Sequence, residues 1–101
     1  PAVSSLDAQR LQVQLDGARK DFAFDRVFGP EATQHEVYTA CALPIVEAVL
    51  EARNGCIFAF GCTGAGKTHS MLGPEGGRKR TSEDGLLPRA AAELFRRIAQ
   101  L

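Results

Sequence analysis

Alternating apolar and polar positions near the start of the chain, followed by a turn signal, predict a β-hairpin. Three aliphatic residues alternate with glutamines over residues 11–15, the period of a half-buried strand. The Asp-Gly dipeptide at 16–17 favours the tight turn that joins antiparallel strands. A second strand is therefore expected to reach across residues 22–28, where Gly29-Pro30 breaks it.

A helical pattern with an internal interruption follows the hairpin. Thr33 and Glu36 have the spacing of a capping box, in which each side chain satisfies a backbone N–H of the first helical turn. Apolar residues then recur at helical spacing over residues 37–50. Pro44 removes one backbone donor, which predicts a kink. The Asn-Gly dipeptide at 54–55 should end the helix, with one of the two residues in the left-handed conformation.

The second half of the chain predicts one buried strand and two helices. Residues 56–60 are continuously apolar, which favours a strand covered on both faces, as in a parallel sheet. A short helix is expected over residues 67–72, followed by a polar, glycine-rich surface loop at about 73–85 that contains the basic run 78–80. A last helix should begin at about Pro88.

The last helix has an amphipathic pattern. Glu93 and Arg97 are four residues apart and should form an ion pair. The expected core face of this helix consists of Leu87, Ala91, Leu94, Phe95 and Ile98.

Composition narrows the class of protein. The chain has 101 residues, 45% hydrophobic and 24% charged, which is typical of one small globular domain. Its apolar runs are too short to cross a bilayer, no charged-then-apolar leader opens it, and it starts without Met, as an excerpt would. The net charge of zero gives no global attraction for nucleic acid, so neither a membrane nor nucleic acid is expected as a partner. Three cysteines without CxxC spacing favour reduced thiols rather than disulfides or zinc.

Residues 61–68 fit the phosphate-binding pattern GxxxxGK[ST]. Its glycines let the main chain approach phosphate oxygens, and its N–H groups form an anion nest at the start of a helix, whose dipole adds positive charge. Lys67 would contact the β- and γ-phosphates, and the Thr68 hydroxyl would bind Mg²⁺. The predicted ligand is ATP with Mg²⁺. The candidate binding residues are Gly61, Cys62, Thr63, Gly64, Ala65, Gly66, Lys67 and Thr68.

Several motifs in order resemble the kinesin motor domain family. Residues 22–28 (FAFDRVF) are similar to the FxFDxVF strand of kinesins, and residues 34–38 and 44–46 to the helix that follows it. Residues 54–71 resemble the kinesin approach to the phosphate loop and the loop itself, and residues 85–90 (GLLPRA) the start of the next kinesin helix. The resemblance covers about residue 22 to the end of the chain.

The resemblance implies an α/β fold, specifically part of a P-loop NTPase domain of the kinesin type. In this arrangement a β-hairpin precedes a helix, a buried strand, the phosphate loop and a helix. It also implies an ATP-hydrolysing motor that moves on microtubules in the cytoplasm and cytoskeleton, and it leaves dimerisation of the full-length protein open. His69 would pack near the adenine, the alternative being an exposed residue of the first helical turn.

The chain departs from the family pattern in two ways, and the second limits the activity expected of residues 1–101. Cys62 stands where kinesins more often have Gln, which is tolerable because only its backbone would serve phosphate. The adenine-contacting RxRP segment and the NxxSSR-like and DLAGSE-like switch segments are not recognisable, and Asp84 is no candidate Mg²⁺ partner. We therefore expect residues 1–101 to be an incomplete motor domain without catalytic residues of its own. Microtubule contact would come through regions absent from this chain, and the isolated segment should fold poorly.

Two other functions remain open at this point. One is a nucleotide-binding remnant or regulatory protein that lacks motor activity. The other is a different P-loop phosphotransferase, although such enzymes usually carry the loop after their first strand.

Overall fold

A computed structural model describes residues 2–61, 63–74 and 83–100 of the chain. Two compact units are present, residues 1–32 and residues 33–101. Most of the predicted surface loop, including the basic run 78–80, lies outside the described residues. None of the helices in the described ranges has the length and apolar character that a bilayer crossing requires.

The first unit is a three-stranded antiparallel sheet in the order β1-β2-β3. The strands are β1 (Ala2–Ser5), β2 (Arg10–Leu15) and β3 (Ala18–Ala23). Asp16 and Gly17 have φ angles of 51° and 77°, as a two-residue turn with both central residues left-handed requires. The predicted hairpin is therefore confirmed.

The extent of this sheet differs from the prediction in two ways. The pattern did not predict β1, which pairs with β2 through Val3 opposite Val13. The second hairpin strand ends at Ala23 rather than reaching Phe28. Beyond it, the N–H groups of Phe24 and Val27 donate to carbonyls in the β1–β2 connection, at 2.8 and 2.6 Å. The backbone donors just after β3 are therefore paired with the β1–β2 connection, so β3 does not continue as a strand beyond Ala23.

The second unit begins with α1 (Gln34–Val37), whose start the capping box predicts. Thr33 is the N-cap residue, and its Oγ1 accepts from the N–H of Glu36 at 3.1 Å. A π-helical segment (Tyr38–Ala42) and then α2 (Leu43–Leu50) continue the same run. The N–H of Leu43 donates to the carbonyl of Tyr38, five residues earlier. The helix is thus irregular just before Pro44, where the missing donor predicted a distortion.

The end of α2 corrects one prediction. Ala52, and not a residue at 54–55, has the left-handed conformation, with φ 65°. Its N–H donates to the carbonyl of Val49 at 3.0 Å. The N–H of Arg53 donates to the carbonyl of Ala48, also at 3.0 Å. These two bonds form a Schellman motif, which satisfies the last carbonyls of α2 and determines where the chain turns. Ala52 therefore occupies a left-handed position that glycine would fill with less strain.

The predicted buried strand at 56–60 is wrong for this structure. Residues 53–61 contain neither helix nor strand, and the side chains of Phe58 and Phe60 are 81% and 95% exposed. A parallel strand needs neighbours to pair with, and the described strands are all confined to residues 2–23. Within this run Ile57 packs against the core of the second unit, whereas Phe58 and Phe60 stay exposed.

Two further helices complete the second unit. The short helix α3 (Lys67–Met71) ends near Gly73, close to the predicted position. The last helix, α4 (Leu86–Ile98), begins two residues before Pro88, which lies within its first turn.

The core lies between the π-helical segment and α4. Tyr38, Ala42 and Leu86 form its buried cluster, and burial raises the pKa of the Tyr38 phenol. Leu86 was not on the predicted core face of α4. The predicted residues Phe95 and Ile98 are 75% and 54% exposed, because the face that packs is rotated towards Leu86.

The other three residues of the predicted core face of α4 differ in their exposure. Leu87 is 56% exposed, whereas Ala91 and Leu94 are half-buried. The predicted Glu93–Arg97 pair is confirmed, since the Arg97 Nε donates to the Glu93 Oε2 at 3.2 Å.

Candidate phosphate-binding site

The backbone of residues 61–68 has the conformation that the glycine pattern requires at two positions. Gly64 and Gly66 have φ angles of 85° and 96°, a region that residues with a side chain enter at an energetic cost. Gly66 is also the N-cap residue of α3, so the chain turns through a left-handed residue directly into the helix that carries Lys67 and Thr68.

Lys67 lies back across the start of the loop. A Cβ atom built on Gly61 would be 3.8 Å from both Cγ and Cδ of Lys67 and 3.1 Å from the Ala65 Cβ. The absence of a side chain at residue 61 thus lets the loop close on itself beneath the lysine stem. No carboxylate of the described residues lies within ion-pair distance of the lysine, so its charge is not neutralised by this part of the protein.

A cavity of about 370 Å³ lies over the loop. Its volume is in the range of small-ligand pockets. The structure therefore brings most of the predicted residues to one cavity, while Gly61 and Ala65 shape the loop and Cys62 lies outside the described residues. The cavity is lined by Thr63, Gly64, Gly66, Lys67, Thr68 and His69.

The charge available to an anion comes mainly from Lys67 and the loop amides. Helix α3 has only five residues, so its dipole is smaller than that of a long helix. Among described residues, no carbonyl accepts from the N–H groups of Gly64 or Gly66, which leaves these donors available to a ligand. The predicted contribution of the helix dipole is therefore secondary to direct hydrogen bonds and the lysine charge.

Thr68 is the residue predicted to bind a metal ion, and it is exposed at the first turn of α3. The described residues contain no group of three or more His, Cys, Asp or Glu side chains that could hold a metal. A single hydroxyl fits Mg²⁺ bound chiefly through phosphate oxygens and water, the arrangement usual for this ion at nucleotide sites. It does not fit a metal held by protein ligands alone.

His69 is exposed, and it lines the cavity. Its position agrees with the alternative of a solvent-facing residue in the helical turn, and contact with an adenine stays a prediction.

Sequence reasoning missed Gln34. It is 8% exposed, and its Nε2 donates to the carbonyl of His69 at 2.8 Å and to that of Glu83 at 3.1 Å. The sequence placed Gln34 directly after the capping residue Thr33 and at the start of the kinesin-like motif 34–38, and neither position indicates that the side chain points inward.

Comparison with known proteins decides the family. The family model for the kinesin motor domain matches residues 3–101. The chain belongs to the kinesin motor domain family. The resemblance noted from the sequence motifs is therefore confirmed, and the family implies a P-loop NTPase fold, of which the described residues contain a small antiparallel sheet and several helices.

Individual kinesins are similar to most of the chain. Kinesin heavy chain isoform 5A of Homo sapiens is 48% identical over 79 residues, which are 78% of this chain and 7% of that protein. Kinesin-like protein Klp61F of Drosophila melanogaster is 47% identical over 81 residues, 75% of this chain and 8% of that protein. Kinesin-like protein KIF27 of Rattus norvegicus is 38% identical over 93 residues, 92% of this chain and 7% of that protein. The chain thus spans less than a tenth of the length of these relatives.

Proposed function

We propose that this chain supplies the phosphate-binding part of the ATP site in a microtubule-dependent, ATP-hydrolysing kinesin motor. The observation that carries the proposal is the convergence of Lys67 and Thr68 on one cavity, above a loop whose Gly64 and Gly66 are left-handed. Membership of the kinesin motor domain family supports the second part of the proposal, that the complete protein is a microtubule motor. Location in the cytoplasm on microtubules follows from the same proposal.

Each residue of the loop has a distinct role in the proposed site. Lys67 binds the terminal phosphates through its ammonium group, a charge-assisted contact stronger than one between neutral groups. The loop amides, including those of Gly64 and Gly66, donate to phosphate oxygens. The Thr68 hydroxyl contributes one oxygen to Mg²⁺. When bound, Mg²⁺ neutralises phosphate charge and orients the terminal phosphate.

Binding, rather than hydrolysis, is the role we assign to these residues. None of the described residues is proposed as a catalytic acid, base or water-orienting group. Phosphoryl transfer also needs groups that position the attacking water and sense the γ-phosphate, and other segments of a complete motor domain are proposed to supply them. The same holds for the contact with tubulin and for any dimerisation of the full-length protein.

The test is to replace Lys67 with alanine in a complete motor domain that carries this chain. Loss of a charge-assisted hydrogen bond of about 1.5–3 kcal/mol should weaken ATP and ADP binding by roughly 10- to 150-fold. Lys20→Ala is the matched control, because Lys20 is an exposed lysine on β3 and its loss should leave affinity unchanged. Binding is measured by titration with a fluorescent nucleotide analogue.

Three results would revise the proposal. Equal affinities of Lys67→Ala and Lys20→Ala would remove the assigned role of the loop. Nucleotide binding without any stimulation of ATP hydrolysis by microtubules would favour a nucleotide-binding or regulatory protein over a motor. Phosphate transfer to a small-molecule acceptor would favour a different phosphotransferase.

A further inference from the structure

Gln34 is the first residue of α1, yet its side chain is buried. It is 8% exposed, and its Nε2 donates to two backbone carbonyls that are distant in sequence. One belongs to His69 in α3, at 2.8 Å, and the other to Glu83 just before α4, at 3.1 Å. A single amide group therefore connects three segments of the second unit.

The carbonyl of His69 needs this partner because α3 ends early. In a continuing α-helix, the N–H of Gly73 would donate to the carbonyl of His69, four residues earlier. Instead it donates to Thr68 at 3.2 Å, and the same carbonyl accepts from Leu72 at 2.8 Å. The carbonyl of His69 thus has lost its regular helical partner, and Gln34 satisfies it with its side chain.

The short helix also depends on outside contacts for its position. Helices much shorter than about 12 residues are unstable in isolation, and α3 has five residues. The two residues proposed to meet phosphate and Mg²⁺, Lys67 and Thr68, lie one or two positions before His69. A constraint on the carbonyl of His69 therefore constrains the direction in which both of those side chains leave the helix.

We propose that Gln34 is a positioning residue of the nucleotide site, which holds α3 at its C-terminal side so that Lys67 and Thr68 face the phosphate cavity. The inference rests on the proposed nucleotide-binding function. Gln34 does not line the phosphate cavity, so it acts through the carbonyl of His69 rather than by touching nucleotide.

Replacement of Gln34 by methionine is the sharpest perturbation, because methionine has nearly the same length and volume and no amide donor. The carbonyls of His69 and Glu83 would then lose the Gln34 amide, and α3 would lose this hydrogen bond to α1. We expect Mg-ADP affinity in the complete motor domain to fall about tenfold, in line with the loss of a partly buried hydrogen-bond partner. A fluorescent ADP analogue reports the affinity, and thermal unfolding of the same samples reports stability.

Val46→Ala is the matched control for a general loss of stability. Val46 is 4% exposed in α2 and does not line the phosphate cavity. This variant should lower the melting temperature and leave Mg-ADP affinity within about twofold of the wild type, because it removes packing beside Met71 of α3 but keeps the hydrogen bond from Gln34 to His69. Gln34→Asn keeps the amide but is one methylene shorter, and it replaces the methionine variant if that protein does not fold. We expect this variant to weaken binding several-fold.

The outcomes separate this inference from the proposed function. If the wild type binds nucleotide, Lys67→Ala weakens binding, and the Gln34 variants bind like Val46→Ala, then Gln34 has no positioning role and the proposed function stands. If Lys67→Ala has no effect, the proposed function itself fails. The inference holds only if the Gln34 variants lose more affinity than Val46→Ala at an equal loss of melting temperature.

Discussion

Replacement of Gly85 by alanine should destabilise the second unit through a steric clash. Gly85 is the N-cap residue of α4 and lies against the end of α3. A Cβ atom at this position would be 2.5 Å from the carbonyl carbon of Met71 and 2.6 Å from the backbone nitrogen of Leu72. Because the φ angle of Gly85 is −78°, alanine adopts the backbone conformation without strain, and the predicted effect comes mainly from packing, with a smaller contribution from the poorer preference of alanine for the N-cap position.

The size of the effect follows from these distances. An ordinary contact begins at 3.4 Å, so the 2.5 Å approach requires the two backbones to separate by about 0.9 Å. Overpacking of a close contact destabilises the folded state by about 1–3 kcal/mol. The change from glycine to alanine also lowers the entropy of the unfolded chain, which stabilises the folded state by about 0.4–1 kcal/mol. We therefore expect Gly85→Ala to lower the free energy of unfolding by about 1–2 kcal/mol.

The assay is urea unfolding of a complete motor domain that carries this chain, with Gly29→Ala as the matched control. A Cβ on Gly29 would meet only the Ser5 Oγ, at 3.3 Å, and a hydroxyl can rotate away. The control removes the same unfolded-state entropy without a backbone clash, so it should be neutral or stabilising by up to about 1 kcal/mol. Equal stability of Gly85→Ala and Gly29→Ala would refute the argument that the α3–α4 approach requires glycine.

Two further predictions concern stability and exposed apolar surface. Ala52→Gly should raise the free energy of unfolding by about 0.5–1 kcal/mol, because it removes left-handed strain but adds unfolded-state entropy; a lower urea midpoint would contradict this. The isolated 101-residue chain should enhance the fluorescence of an apolar dye and show no sharp thermal transition, since Phe58, Phe60 and Phe95 are largely exposed. A cooperative transition without dye binding would show that these side chains become buried.

Local chemistry in the sequence was enough to predict several elements. The Asp-Gly turn sets the hairpin, and the Thr33 hydroxyl sets the start of α1, because each acts on residues only two or three positions away. The ion pair of Glu93 with Arg97 likewise depends only on helical spacing. These features need no knowledge of tertiary contacts.

Features that depend on distant contacts could not be predicted in the same way. Leu86 and Leu87 are chemically identical neighbours, and contacts with distant segments, chiefly Tyr38 and Ala42, determine that Leu86 is the buried one. The inward orientation of Gln34 depends on a carbonyl 35 residues away in α3. The turn at Ala52 gives no signal in its own side chain, because its conformation follows from the carbonyls that the end of α2 must satisfy.

The same distinction explains why the conformation of the phosphate loop was predicted correctly, whereas the strand predicted just before it was not. The loop conformation depends on Gly64, Gly66 and the absence of a side chain at Gly61, all within the loop itself. The strand at 56–60 needs hydrogen-bonding neighbours, which the described residues do not provide. The form of the phosphate cavity is thus encoded locally, whereas its orientation depends on contacts such as that of Gln34. Substitutions within the loop should therefore change the affinity for phosphate directly, and substitutions at Gln34 should change it through the placement of α3.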